Sequence, residues 1–188
     1  MSAKDVHVAL LRGINLAGKN SLPMKQLATL FSAAGCSDVQ TYIQSGNVIF
    51  RAKPPVAKKI ANAIAAAILD RFELRVPVVT RTLDELEKAA KANPYLRAGK
   101  DPDTLHLMFL AEPPSKSQIA ALDPKRSPGD EFSVRGRDIY LCLPNGVGRS
   151  KLNNAYFDSK LGTVSTGRNW RTVLKLIELA SACGSAKA

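Results

Sequence analysis

Cysteine, histidine and aromatic residues are all scarce in this chain of 188 residues, which holds three cysteines, two histidines and 6% aromatics. The cysteines are odd in number, far apart and never spaced as Cys-x-x-Cys, which argues against a zinc site and for a reducing compartment. His7 and His106 lie inside apolar runs, where a buried histidine with a structural role is the usual outcome. The sequence therefore gives no reason to expect a metal or a cofactor.

Long apolar runs are missing as well, and the longest weakly charged stretch, residues 60–69, is too short to cross about 30 Å of hydrocarbon. The first residues lack the pattern of a secretory signal peptide. The remaining composition, with 45% hydrophobic and 23% charged residues, is typical of a globular protein. We therefore expect a soluble, cytoplasmic protein without a membrane partner.

Acidic residues are too few to balance the basic ones, since 27 Lys and Arg against 16 Asp and Glu give a net charge of +11. Both halves of the chain share this excess, so no basic tail accounts for it. Such a bias favours phosphate-bearing partners over acidic ones. The alternative interpretation is that an alkaline pI only keeps the protein in solution.

Hydrophobic periodicity predicts the same order of elements twice along the chain. In the first pass, strands are expected at 6–11, 39–43, 48–50 and 75–80, with helices at 23–34 and 56–72. In the second pass, strands are expected at 105–110, 132–134, 139–143 and 163–165, with helices at 116–122 and 150–161. The order βαββαβ is that of the ferredoxin-like α-β plait, which has an antiparallel sheet.

The sequence thus predicts an α+β protein made of two tandem ferredoxin-like plaits. The first plait is expected to span residues 1–81. Residues 82–103 are expected to form a connecting helix and loop. The second plait is expected to span residues 104–188, including a C-terminal helix at 170–183.

Polar residues gather where strands of the first plait end. The first and second strands of a plait point the same way, so the loop at 12–20 and the turn at 42–47 should share one edge of the sheet. Neither segment contains a carboxylate, and hydrogen-bond donors without nearby acids suit an anionic ligand. The candidate ligand contacts at this edge are Arg12, Gly13, Asn15, Lys19, Tyr42, Gln44, Ser45 and Asn47. The alternative interpretation is that these residues only form turns.

A second polar cluster is expected in the second plait, where the loop after residue 143 and the loop after residue 165 should share an edge. Residues 144–151 follow a strand and precede a helix, as in a phosphate cradle, but they match neither GxxxxGK[ST] nor GxGxxG. The candidate contacts are Ser150, Lys151, Arg168, Asn169 and Trp170. Helix capping by Ser150 or Asn169, and anchoring of the core by Trp170, are the alternatives.

These clusters lead to a first hypothesis, a binding protein whose two polar edges face each other across the junction of the plaits and hold a phosphorylated small molecule or nucleotide. A second hypothesis is non-specific binding of nucleic acid through Lys53, Lys58, Lys59 and Arg71. Sequence-specific RNA reading is disfavoured, because the central strands lack the aromatic string that such domains use.

A third hypothesis is an enzyme of unknown, transferase-like reaction. Lys19 or Lys151 would steady a phosphate, and Tyr42 or Ser150 would supply the reacting hydroxyl. No neighbouring base that could activate either hydroxyl is visible in the sequence. Whether the protein is an enzyme therefore stays open at the level of the sequence.

Several segments resemble the bacterial domain-of-unknown-function family 1697. They are ALLRGIN at 9–15, LPM at 22–24, TYIQSGNV at 41–48, SKL at 150–152 and TGRNWRTV at 166–173. The resemblance extends over nearly the whole chain and implies two α-β plaits in one polypeptide, in agreement with the doubled order of elements. It implies no activity.

Overall fold

The computed structural model describes residues 5–16 and 18–185 of the chain. The chain divides into two compact units, one formed by residues 1–88 and 175–188 and the other by residues 89–174. Each unit contains one four-stranded antiparallel sheet. No described helix is both long enough and apolar enough to span a bilayer.

The first unit follows the predicted order of elements. Its strands and helices are β1 (Val6–Leu11), α1 (Met24–Ala33), β2 (Ser37–Tyr42), β3 (Asn47–Arg51), α2 (Pro54–Ala57), α3 (Ile60–Phe72), β4 (Val78–Thr82) and α4 (Leu83–Lys91). The strand order β2-β3-β1-β4 is that of a ferredoxin-like plait. The helix expected at 56–72 is divided into α2 and α3, with Lys58 and Lys59 between them.

The core of the first unit forms because apolar side chains recur with helical spacing on α1 and α3. Leu27 and Phe31 lie one turn apart on α1, and Ile60, Ile64 and Ile68 do so on α3. All five are buried in one cluster with alternate residues of β1 and β3. Burial of this kind contributes about 1.5–3 kcal/mol for each large aliphatic or aromatic side chain.

The second unit repeats the arrangement with the strand order β6-β7-β5-β8. The elements that follow α4 are α5 (Pro94–Arg97), β5 (Leu105–Leu110), α6 (Lys116–Ala120), β6 (Glu131–Arg135), β7 (Asp138–Cys142), α7 (Asn154–Leu161), β8 (Ser165–Asn169) and α8 (Trp170–Ser185), and the part of α8 from residue 175 onwards belongs to the first unit. Its helix-facing core contains Met108, Leu110, Ile139, Leu141 and Phe157. The α+β class and the tandem plait-like units are therefore confirmed.

Two boundaries in the second unit differ from the prediction. The last strand occupies Ser165–Asn169 rather than 163–165, because its five residues pair with His106–Leu110 of β5 despite their turn-like composition. The expected loop after residue 165 is thus a strand. Helix α7 begins at Asn154 rather than at 150, because the side chain of Asn153 accepts the N–H of Tyr156 and caps the helix there.

The internal repeat extends one element further than predicted. Arg81 on β4 lies opposite Val8 of β1, and Arg168 on β8 lies opposite Leu107 of β5. Val8 and Leu107 are both the third residues of their strands, so the two buried arginines occupy equivalent positions. Each copy of the repeat therefore follows the order βαββαβα along the sequence, in which α4 and α8 correspond.

The helices α4 and α8 also begin in the same way. The hydroxyl of Thr82 accepts the N–H of Glu85 at 3.1 Å, and the carboxamide of Asn169 accepts the N–H of Thr172 at 2.8 Å. In both cases the last strand residue caps the following helix through an amide three residues on. The connecting helix and the C-terminal helix of the sequence analysis are thus matching parts of the repeat.

Arg51 on β3 links the first sheet to the end of α8. Its guanidinium donates to the carbonyl oxygens of Cys183 at 2.6 Å and Gly184 at 3.1 Å, and its Nε lies 3.3 Å from a carboxylate oxygen of Asp38. The arginine is fully buried. The last carbonyls of a helix lack partners within the helix and carry partial negative charge. The buried guanidinium of Arg51 donates hydrogen bonds to these carbonyls and is attracted by their partial charge.

Candidate functional site

The loop between β1 and α1 is folded into a small arch by its own backbone. The N–H of Asn15 donates to the carbonyl of Asn20 at 3.0 Å, and Leu16 and Lys19 exchange two further hydrogen bonds at 3.2 and 2.8 Å. The side chain of Asn20 also donates to the carbonyl of Gly13 at 2.7 Å. These bonds hold the loop in a defined shape.

Asn15 connects this arch to the turn between β2 and β3. Its carboxamide nitrogen donates to the carbonyls of Leu22 at 3.0 Å and Gln44 at 2.9 Å, and its oxygen accepts the N–H of Leu22 at 2.8 Å. The expectation that the loop and the turn share one edge is therefore met. Since both amide hydrogens of Asn15 are used within the protein, this side chain holds the surface together.

Gly46 lets the turn approach the end of β1. Its carbonyl accepts the N–H of Leu11 at 2.8 Å, and its φ of +75° lies in the left-handed region. A Cβ at this position would lie 2.6 Å from Cβ of Leu11 and 2.8 Å from Cδ1 of Ile14. Glycine is thus required here both by backbone conformation and by space.

Ser45 and Asn47 complete the turn from inside. Asn47 is fully buried, and its carboxamide nitrogen donates to the carbonyl of Tyr42 at 3.1 Å and to the hydroxyl of Ser45 at 3.0 Å. Both residues were candidate ligand contacts, and the structure places their side chains in the framework of the turn.

Ile43 has an unusual conformation within the same turn. Its φ is +49°, which a β-branched residue rarely adopts, and its side chain is 49% exposed. Strained residues of this kind persist only where surrounding contacts hold them, and they concentrate at functional sites. The exposed apolar group adds to Leu16, which is 60% exposed in the neighbouring arch.

We call the exposed part of this edge the loop–turn surface. Lys19 and Gln44 are exposed there, and Arg12 and Tyr42 are half-buried. The surface is defined by Arg12, Leu16, Lys19, Tyr42, Ile43 and Gln44. Cationic, amide and apolar groups thus lie together on a framework built by Asn15, Gly46 and Asn47.

The sequence segment that contains this surface is more one-sided in charge than the whole chain. Residues 6–69 contain seven basic residues and a single acidic one, Asp38. Asp38 in turn pairs with the buried Arg51. The two halves of the chain carry similar net charges, so the acid-poor segment appears only when residues 6–69 are considered by themselves.

The second cluster also lies along one edge of its sheet. β7 ends with Cys142 opposite Leu105, and β8 ends with Asn169 opposite His106, so the loop after β7 and the end of β8 are at the same end. The hydroxyl of Ser150 accepts the N–H of Leu152 at 3.0 Å. The side chain of Lys151 is exposed, while Asn169 caps α8.

Two candidates of this cluster are buried. Arg168 is 9% exposed, and its guanidinium donates to the hydroxyl of Thr166 at 3.0 Å and to the carbonyl of Gly167 at 2.8 Å. Removal from water lowers the pKa of Arg168 to about 10. Trp170 is 3% exposed. The role of these residues in ligand binding, and a single cleft formed by both clusters, stay predictions.

The two histidines have the structural surroundings that their apolar neighbours indicate. The ring of His7 stacks on Phe50 with centroids 5.5 Å apart, and Nδ1 of His106 lies 3.4 Å from the carbonyl of Thr104. Burial lowers the pKa of both imidazoles below 6.5. Neutral, half-buried rings of this kind hold the strands rather than transfer protons at an open site.

The lowered histidine pKa values predict a stability that falls on acidification. The unfolded chain binds protons at about pH 6.5 while the folded rings resist them, so the free energy of unfolding should decrease as the pH falls from 6.5 towards the folded pKa values. Urea unfolding across this range measures the effect. The variant with His7→Phe and His106→Phe should show a weaker pH dependence, and an unchanged slope would contradict the assignment.

The central strands expose no phenylalanine or tyrosine on which a nucleic-acid base could stack. Phe50 and Tyr140 are 0% and 1% exposed. In β1, Val8 and Leu10 alternate with the core residues Ala9 and Leu11 and are also fully buried, so both faces of this strand are covered. Phosphate contact through exposed lysines stays a prediction.

Catalytic groups are likewise not assembled around the candidate hydroxyls. In residues 5–16 and 18–185, neither Tyr42 nor Ser150 forms a side-chain hydrogen bond with a histidine or a carboxylate. No group of three or more His, Cys, Asp or Glu in this part of the chain could hold a metal ion. The transferase-like alternative also stays a prediction.

Comparison with known proteins places the chain in a family. The model of the family described as protein of unknown function (DUF1697) matches residues 5–140. The chain belongs to this family. The match contains the whole loop–turn surface and ends before Ser150, so the resemblance of the segments at 150–152 and 166–173 lies outside it. Among proteins with curated descriptions, none matches this family member.

A solved structure supports the fold of this DUF1697 chain. The conserved bacterial protein SP0830 from Streptococcus pneumoniae superposes with a TM-score of 0.71 at 19% sequence identity. The alignment covers 93% of this chain and 98% of that chain. Similarity at this level of identity shows the fold alone. It agrees with the two plait-like units seen here.

Proposed function

We propose that the protein binds a phosphorylated small molecule or nucleotide, and that the loop–turn surface supplies the contacts to its phosphate. The observation that carries this proposal is that Asn15 bonds to two separate segments. Its three side-chain hydrogen bonds, to Leu22 and Gln44, fix the arch to the turn. With the framework satisfied internally, the side chains of Lys19 and Gln44 remain exposed to solvent.

The chemistry of the surface supports a phosphate more than a neutral or cationic ligand. The ammonium group of Lys19 offers charge-assisted hydrogen bonds to phosphate oxygens, and the amide of Gln44 offers further donors. The only carboxylate between residues 6 and 69 is engaged with Arg51, so no acid of this segment competes for the cation. The exposed Leu16 and Ile43 give a non-phosphate part of the ligand an apolar contact.

The stiffness of the surface also favours binding. An arch with four internal hydrogen bonds and a turn packed against β1 lose little conformational freedom when a ligand is bound. The strain of Ile43 fits a turn whose shape is maintained for recognition.

Replacing Lys19 by glutamine should weaken phosphate binding by roughly tenfold or more, because a hydrogen bond to a charged group contributes about 1.5–3 kcal/mol. Isothermal titration of the full chain with pyrophosphate and with ATP measures the dissociation constants. Lys58→Gln is the matched control, because Lys58 is exposed in the same unit beyond β3, away from the turn, and the change in net charge is the same.

Equal losses of affinity in Lys19→Gln and Lys58→Gln would show attraction by the overall charge and would overturn the assignment to the loop–turn surface. Absence of saturable binding by either phosphate compound would overturn the proposal as a whole. Gln44→Ala should reduce affinity in the same direction as Lys19→Gln, since the two side chains stand on adjacent, hydrogen-bonded segments.

A further inference from the structure

The second unit has an open pocket of about 420 Å³ beside α7. A volume of this size falls within the range of small-molecule sites. The pocket is lined by Arg126, Asn153, Ala155, Tyr156, Ser159 and Lys160. The lining contains two cations, three groups with hydrogen-bonding side chains and no carboxylate. None of these residues belongs to either polar cluster described above.

Arg126 is positioned over Tyr156 at one side of the pocket. Its guanidinium carbon lies 5.2 Å from the centre of the tyrosine ring. The tyrosine is itself held in place, because its hydroxyl accepts the N–H of Asp123 at 2.7 Å and its ring packs against Phe157. A cation over an aromatic face keeps its N–H groups directed outwards, where they can bind a ligand.

The cations of the pocket have no acidic partner in residues 5–16 and 18–185, since neither Arg126 nor Lys160 forms an ion pair there. The carboxylates closest to them in sequence accept hydrogen bonds from other groups. Asp158 accepts the hydroxyl of Ser165 at 2.5 Å, and Asp123 accepts the N–H of Lys125 at 2.8 Å. The positive charge of the lining is therefore available to an anion.

The remaining lining groups suit the same ligand. Asn153 uses its carboxamide oxygen to cap α7, and no described acceptor takes its amide hydrogens. The side chain of Ser159 is exposed in the last turn of α7. Amide and hydroxyl donors beside two cations are what phosphate oxygens require.

We propose that this pocket is a second anion site, which binds the phosphate group of a small phosphate ester between Arg126 and Lys160. The site shares no residue with the loop–turn surface, and all its residues lie in the second compact unit. Its ligand is defined by a doubly charged phosphate that both cations contact and by an organic part small enough for the pocket.

Nuclear magnetic resonance of the full, ¹⁵N-labelled chain tests the site directly, with inorganic phosphate and AMP as probes. AMP should cause saturable shifts of the amides of Tyr156 and Ser159. The double variant Arg126→Gln, Lys160→Gln should raise the dissociation constant at least tenfold. Lys125→Gln is the control, because it removes an exposed charge next to Arg126 in sequence that does not line the pocket.

Unmoved amides at 153–160, or an equal loss of affinity in Lys125→Gln, would overturn the site. Tighter binding of AMP than of inorganic phosphate supports an ester ligand, whereas equal affinities would assign free phosphate to the pocket and overturn that part of the proposal. Lys19→Gln should leave these shifts unchanged, so failure of the loop–turn surface and failure of the pocket give different results.

Discussion

Replacing Arg51 by alanine is expected to lower the free energy of unfolding by about 3–5 kcal/mol, the range found when one partner of a buried ionic network is removed. The substitution deletes the two hydrogen bonds to the carbonyls of Cys183 and Gly184 and the contact with Asp38. It also leaves a cavity where a fully buried side chain was packed. Urea unfolding followed by circular dichroism measures the change.

The control for this prediction is Arg71→Ala, which removes an exposed arginine from the same unit and should change stability by no more than about 0.5 kcal/mol. Hydrogen exchange adds a local measurement, because amides near residues 181–185 should exchange faster in Arg51→Ala if the arginine holds the end of α8. An Arg51→Ala protein within about 1 kcal/mol of the wild type would contradict the proposed role.

Gly46→Ala is the second substitution with a large expected effect, about 2–5 kcal/mol of lost stability. The left-handed backbone costs an L-residue about 1–2 kcal/mol, and forcing a methyl group into occupied space costs typically 1–3 kcal/mol more. The new Cβ would overlap Leu11 and Ile14, so the turn has to move away from β1. Thermal and urea unfolding measure the loss.

Gly13→Ala separates the cost of the left-handed backbone from the cost of the steric overlap. Gly13 has a φ of +74°, almost the same as the +75° of Gly46, but no atom lies within 4 Å of its added Cβ. This variant should therefore show only the backbone cost, about 1–2 kcal/mol. If Gly13→Ala and Gly46→Ala are equally destabilised, the close approach of the turn to β1 has no energetic importance.

The architecture was largely predictable because it depends on periodic burial. Leu27 and Phe31, or Ile60 and Ile64, reveal a helix face without knowledge of what lies against it. The last strand was misplaced because Ser165–Asn169 has no such pattern. Its residues form a strand only because β5 supplies hydrogen-bonding partners, and those partners are distant in sequence.

The location of the candidate site could be predicted from the sequence, but the side chains available to a ligand could not. The sequence brought the arch and the turn to one edge, but it did not show which polar side chains are used internally. Asn15, Gln44 and Asn47 all carry amide side chains in polar segments of the sequence. Only the hydrogen-bond partners in the structure show that Asn15 and Asn47 hold the loop and the turn together, whereas the side chain of Gln44 is exposed.

The pocket beside α7 was not foreseen. Arg126 lies before β6 and Lys160 near the end of α7, and no short motif joins them. The sequence around Lys160 does not indicate an anion site, because Asp158 is only two residues away. Its engagement with Ser165 becomes visible only when β8 is in place.

The binding of helix α8 by Arg51 has a consequence for synthesis on the ribosome. Residues 6–82 emerge early and contain every strand of the first sheet, yet the carbonyl groups that accept the hydrogen bonds of Arg51 belong to residues 183 and 184. A nascent chain thus lacks these two hydrogen-bond acceptors of Arg51 until residue 184 has been synthesised, although Asp38 is already present. The packing of the first sheet is therefore completed by a segment 132 residues further along the chain.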